Sequence, residues 1–189
     1  SLLSVAIVTS TFSPIQVAQY GLACRVSQIL LMPWNSGMQI LIPSLAQIGK
    51  NRDNSDILHQ IRQITGFVFL SIIAIAAGFL LIGYPVMNFF FDAFNKQAFY
   101  ISLVFVFGNI VFAYFGIGDQ ALIATNRHRK AQNITVISTG FALAGFLLCI
   151  WVQADVIYIA VIMMMSMLVR QIWSEVAFYK FTGIRTRLA

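Results

Sequence analysis

The chain has 189 residues, 59% of them apolar and only 10% charged, with a mean hydropathy of +0.83, where an ordinary soluble domain carries about 25% charged residues. This composition excludes a soluble globular domain, because its 12 basic and 6 acidic residues leave uncharged runs at 1–24, 26–49, 63–91, 97–118 and 131–154, each long enough to cross a hydrocarbon core. The formal charge of +6 reads as loop topology in a membrane chain, not as a nucleic-acid surface.

Turn and charge punctuation predicts an all-α polytopic membrane helix bundle with one truncated and five full transmembrane helices, at 1–12, 15–48, 63–84, 98–126, 131–152 and 156–178. Helix is required because an isolated β-span leaves its backbone unpaired in lipid, and the period-2 alternation of a barrel strand is absent. The first span opens without Met at Ser1-Leu2-Leu3 and closes in the turn-like Thr9 to Pro14, so a piece of a longer chain is expected.

The span 15–48 is the most informative. At about 100° per residue, Arg25, Gln28, Asn35, Ser36 and Gln39 project within one arc, while Val26, Leu30, Leu31 and Met38 take other faces. Pro33 and Pro43 each remove a backbone donor, so both are expected to act as hinges with carbonyls freed beside the polar wall. Two readings fit Arg25: a charge facing a wet cavity, or a side chain snorkelling to outer headgroups.

Beyond it, Ile57, Leu58, Ile61 and Ile64 recur at helical spacing beside Arg52, Asp56, His59 and Arg62, which predicts a cytoplasmic amphipathic linker over 51–62 lying in the headgroup plane. Within 63–84, Ala74 with Gly78 gives a small-x-x-x-small face for close helix approach, as Gly140 with Ala144 does in 131–152. Pro85 to Gln97, with Phe89, Phe90, Phe91 and Phe94, predicts a short interfacial helix on the outer side.

In 98–126, Ser102, Asn109, Gly116, Asp119 and Gln120 form a second polar stripe, interrupted by Phe105 and Phe112. Asn109, Asp119 and Gln120 are therefore expected to line a cavity with the span 15–48, and in this chain alone both stripes are expected to be exposed. For Asp119, ion coupling competes with a salt bridge to Arg127 or Arg129 and with interfacial solvation. Arg170 and Glu175, in the last span, are five apart and off the spacing of a helical ion pair. The methionines at 163, 164, 165 and 167 read as adaptable packing, not as a metal site.

Nine of the twelve bases fall in three clusters two spans apart: Lys50, Arg52 and Arg62; Arg127, Arg129 and Lys130; Lys180, Arg185 and Arg187. The positive-inside rule makes that side cytoplasmic, with the tail 179–189 inside. Neither Cys24 and Cys149 nor His59 and His128 show metal-ligand spacing. No phosphate loop, nucleophile elbow or paired intramembrane carboxylate is present, so no cofactor, metal or catalytic activity is expected.

Three stretches carry a family likeness: Val17-Ala18-Gln19-Tyr20-Gly21-Leu22-Ala23-Cys24-Arg25 with Pro33 and Ile42-Pro43-Ser44-Leu45; Gly83-Tyr84-Pro85 to Phe91; and Ala121-Leu122-Ile123-Ala124-Thr125-Asn126-Arg127-His128-Arg129-Lys130. Together they resemble polysaccharide flippases of the multidrug/oligosaccharidyl-lipid/polysaccharide exporter superfamily. Asn126 stands where such proteins commonly have Gly, and Asn also accepts the left-handed cap conformation.

The resemblance implies the C-terminal six-helix bundle of a two-bundle transporter in the bacterial inner membrane, with the N-terminal bundle of the same protein as its missing partner. It further implies alternating-access flipping of a polyprenyl-pyrophosphate-linked oligosaccharide for surface polysaccharide synthesis, with Arg25 on the pyrophosphate and Gln28, Asn35, Ser36 and Gln39 toward sugar hydroxyls or water. The alternatives are a cation-coupled multidrug exporter of the same superfamily and a non-transporting membrane interaction module. The module predicts no polar face shared by 15–48 and 98–126.

Overall fold

A computed structural model describes residues 2–45, 55–90, 96–115 and 117–182, and every regular element among them is helix. The elements in chain order are α1 (Leu2–Thr11), α2 (Pro14–Leu30), α3 (Met32–Leu45), α4 (Ser55–Phe90), α5 (Lys96–Tyr114), α6 (Gly118–Ala124), α7 (His128–Trp151) and α8 (Val156–Thr182). By length and composition four stretches among the described residues are able to cross a membrane: His59–Phe89, Lys96–Tyr114, His128–Trp151 and Val156–Thr182. The expected fifth full span is divided.

That division has a local cause. The stretch expected as one helix over 15–48 breaks at Leu31, two residues before Pro33, into helices of 17 and 14 residues, each short for a crossing by itself. A prolyl ring at 33 has no N–H to offer the carbonyl of Ile29 and crowds it, which interrupts the helical ladder at this point. No such break occurs at Pro43, which lies inside α3 as it continues to Leu45. Residues 46–48 lie outside the described residues. At its other end α2 is capped as its sequence dictates: Gln16 N–H donates to Ser13 Oγ, Ser13 N–H donates to Gln16 Oε1, and Pro14 fills the first helical position.

The linker expected over 51–62 is also corrected. From Ser55 onward it belongs to α4, an uninterrupted helix of 36 residues that passes through Pro85 to Phe90; residues 51–54 lie outside the described residues. At ~1.5 Å per residue α4 is ~54 Å long, so its ends overreach a ~30 Å hydrocarbon core. The helical period of 57–64 was real, but the same phase runs on into the span. The separate outer helix over 85–97 likewise dissolves into the end of α4 and the start of α5, with 91–95 outside the described residues, as are 183–189 of the tail.

The stretch 98–126 divides as well, into α5 and the short α6. At the end of α6, Asn126 has φ 61°, Arg127 N–H donates to Leu122 O at 2.9 Å and Asn126 N–H to Ile123 O at 3.1 Å, the paired bonds of a Schellman stop. Gln153, φ 54°, closes α7 in the same way, with Ala154 N–H on Cys149 O at 2.8 Å.

α5 is the central helix, packed on α2, α4 and α8. Phe105 and Ile101 on it join Val8, Tyr20, Phe146 and Ile159 in one apolar core. Val106 and Phe112 join Trp34, Leu41, Ile72 and Leu122 in a second. The lipid-facing character of α4 and α7 shows in Phe67, Leu70, Leu81, Phe141, Leu147 and Leu148, all exposed. Close approach between helices does not occur at the predicted small-residue faces. An added Cβ at Gly78 or Gly140 meets nothing within 4 Å, whereas at Gly118 it meets the backbone of Ser174 and Glu175 on α8.

Candidate functional site

The exposed side of α2 and α3 runs as one strip down the bundle. Near the start of α2 it is apolar, through Ile15 and Ala18; further along it carries Arg25, Gln28, Asn35, Ser36 and Gln39, with Ile29, Met32 and Ile40 exposed among them. The five predicted residues of this wall are each exposed in the chain alone. Pro43 leaves the carbonyl of Gln39 without its helical donor on this same face.

The position of Arg25 follows from register. Asn109 Nδ2 donates to Ser27 Oγ at 2.9 Å, which sets Ser27 level with the middle of α5 and α6 together. Ser27 lies 13 residues beyond Pro14, the start of α2, and Arg25 is ~17 Å along that helix. Its guanidinium does not extend alone: Arg25 Nη1 donates to Gln28 Oε1 at 3.4 Å.

Gln28 also borders a cleft of about 400 Å³ enclosed by α2, α5 and α8. Tyr20, Cys24, Ser27 and Leu31 line it from α2, at the i, i+4, i+7, i+11 spacing of a single face. Phe105 closes it from α5, and Met163, Met164, Met167 and Arg170 from α8. Arg25 thus sits at the rim through Gln28, and Arg170 marks the inner end, six residues or ~9 Å inward of Met164.

The second expected polar stripe is not exposed. Ser102 and Asn109 are fully buried; Ser102 Oγ donates to Ala98 O at 2.8 Å, and Asn109 is spent on Ser27. Asn109 therefore ties α5 to α2 through its Nδ2, on the face of α5 that α2 packs against, while its Oδ1 is buried without a hydrogen-bond partner. Gln120 is half-buried on α6.

Asp119 takes a partner other than those expected. Its Oδ2 lies 4.0 Å from Nε of Arg170, with the two side chains 14% and 29% exposed, and neither Arg127 nor Arg129 pairs with it among the described residues. The helical-spacing test had set Arg170 aside, since it addresses pairs within one helix, and this pair joins α6 to α8. Asp119 Oδ1 is buried without a hydrogen-bond partner. A second crevice, about 260 Å³ between α6 and α7, reaches Asp119 from the side of His128 and Gln132.

Two cleft residues were not singled out in the sequence, Ser27 as a partner of α5 and Arg170 as a cleft wall. The signal for Ser27 was present in the Tyr20, Cys24, Ser27, Leu31 face, hidden by the stronger polar arc on the opposite side. For Arg170 there was only its intramembrane charge. The chain matches no family model, no curated protein and no solved structure.

Proposed function

We propose that this chain is one bundle of a transporter that flips a polyprenyl-pyrophosphate-linked oligosaccharide across the bacterial inner membrane by alternating access. The observation that carries the reading is that Arg25, Gln28, Asn35, Ser36 and Gln39 are all exposed on α2 and α3, among the exposed aliphatic residues Ile29, Met32 and Ile40. An Arg at the centre of a membrane helix costs about 2.5–3.5 kcal/mol on insertion scales when it faces acyl chains, so a strip bearing Arg25 within the bilayer calls for water, a polar ligand or a polar partner. The resemblance of residues 17–25 and 121–130 to polysaccharide flippases supplies the class of ligand.

Arg25 presents a forked cation to a pyrophosphate, with charge-assisted bonds strengthened where water is excluded. Gln28 holds that fork at the cleft rim, and Asn35, Ser36 and Gln39 offer donors and acceptors to sugar hydroxyls further in. Asp119, already set against Arg170, is left as the coupling candidate. Its pairing also weighs against the multidrug exporter, which needs acid free for cationic cargo. In the protein as the cell makes it, Arg25→Ala and Arg25→Lys lower export of surface polysaccharide at unchanged membrane protein level; wild-type export by both variants refutes the role.

A second reading, a non-transporting interaction module, is favoured by one observation. Ser102 and Asn109 of α5 are buried, Asn109 bonded to Ser27 of α2, so these two add nothing to the open face. The module predicts that Arg25→Ala changes assembly with a partner while glycan export stays intact.

A further inference from the structure

We propose that the crevice between α7 and α8, at the membrane face bearing the basic loops, is a binding site for an anionic phospholipid. The crevice holds about 380 Å³, roughly a dozen water volumes at ~30 Å³ each. Its wall is a ladder across two antiparallel helices: Lys130 and Lys180 at the mouth, Ile134 and Val176 below them, Ile137 and Trp173 deeper still. Seven residues separate mouth from floor on each helix, or ~10 Å, the depth from a phosphate to the first acyl carbons.

Among the described residues no carboxylate pairs with the charges at the mouth. Lys130 Nζ lies 3.8 Å and Arg127 Cζ 4.7 Å from the centroid of the Phe181 ring, so two cations share one aromatic face. Lys180 stands beside them at the crevice mouth. The ion pair seen among the described residues joins Asp119 to Arg170 and neutralises none of these bases. The first turn of α7 contains no acidic residue, so His128, Arg129 and Lys130 crowd the positive end of its dipole. An anion at the mouth relieves this repulsion, and Lys or Arg placed over a crevice between membrane helices is the chemistry that recognises an anionic headgroup. Trp173 at the floor gives the amphipathic ring that belongs at the headgroup boundary. Ile134, Ile137 and Val176 give the acyl chain an apolar track, which a free phosphate would not need.

The test uses the intact protein in bilayers, on a Trp151→Phe background. Trp151 is 83% exposed at the far end, Trp34 is shielded at 6%, and Trp173 is open at 42%, so lipid quenching then reports chiefly on the crevice. Brominated phosphatidylglycerol is expected to quench at several-fold lower mole fraction than brominated phosphatidylcholine, about fivefold for each lysine engaged. Lys130→Gln with Lys180→Gln brings the two lipids to parity while leaving quenching by phosphatidylcholine unchanged, which also shows that the fold is intact. Lys96→Gln, a base at the opposite end of the bundle, leaves the preference as it was. Equal quenching by both lipids in the parent protein, a preference that survives the double substitution, or displacement of the lipid by millimolar inorganic phosphate would each overturn the proposal.

Discussion

Gly118→Ala is the substitution whose effect follows most directly from atomic positions. An added Cβ lies 2.5 Å from Glu175 N, 2.7 Å from Glu175 Cα and 2.9 Å from Ser174 C. All three are backbone atoms of α8, so no change of rotamer makes room and α6 has to move away as a unit. Overpacking of this kind costs about 1–3 kcal/mol, set against at most ~1 kcal/mol gained from replacing Gly in a helix. The net expectation is a loss of up to ~2 kcal/mol, with Asp119 drawn off Arg170 in the adjacent position. Gly140→Ala is the control, since nothing lies within 4 Å of its added Cβ, and it should be neutral or stabilised by up to ~1 kcal/mol. Thermal unfolding in detergent, followed by labelling of buried Cys149 with a thiol-reactive dye, orders the three proteins. A Gly118→Ala protein that melts with or above Gly140→Ala refutes the close packing of α6 on α8.

Gln153→Gly removes a side chain from a left-handed position, φ 54°, and should raise stability by up to ~1 kcal/mol in the same dye assay; an unchanged or lower melting point argues against the Schellman stop there. Asn109→Ala and Ser27→Ala each delete the buried bond between α5 and α2, and a double-mutant cycle should return a coupling near the ~0.6 kcal/mol average, up to ~1.7, for polar pairs in membrane bundles. Additivity of the two single losses would dissociate them. For the α6–α8 pair, Asp119→Asn and Arg170→Gln singly should cost less than the ~3–5 kcal/mol of a fully buried pair, because Arg170 keeps 29% exposure. The double substitution should recover part of that loss.

What the sequence disclosed, it disclosed through local physics. Helix was forced by apolar runs that must satisfy their own backbone in lipid. The break before Pro33 followed from ring sterics, and the left-handed Asn126 from the few residues that tolerate that conformation. Assignments that depended on a neighbour fared less well. The stripe through Ser102 and Asn109 was found correctly as polar, but polarity alone does not distinguish a face that meets water from one that meets Ser27. Gly78 and Gly140 fit a pattern of close approach that needs an opposing helix, and the contact lies instead at Gly118, whose isolated position gave no pattern. Linker and span were separated at Arg62 by charge density, yet charge density does not end a helix, and α4 has no breaker between Ser55 and Gly66.

The placement of charge links these particulars to the proposed activity. Two arginines, Arg25 on α2 and Arg170 on α8, are treated oppositely by the bundle. Arg170 is turned inward and set against Asp119 at 4.0 Å; Arg25 is turned to the open strip and held by a neutral amide, Gln28, at 3.4 Å. Pairing with a carboxylate lowers the cost of a buried cation but cancels the field it offers a ligand, whereas an amide steadies the guanidinium and leaves its charge intact. Of the two, Arg25 is thus the one whose charge is left for the anion of the proposed cargo, and the part-buried Asn109–Ser27 bond sets the position of Arg25 along α5. Weakening that bond without touching Arg25, as in Ser27→Ala, should then reduce glycan export more than stability alone explains. Export that falls only in proportion to folded protein would show that the register of α2 on α5 does not matter to the cargo.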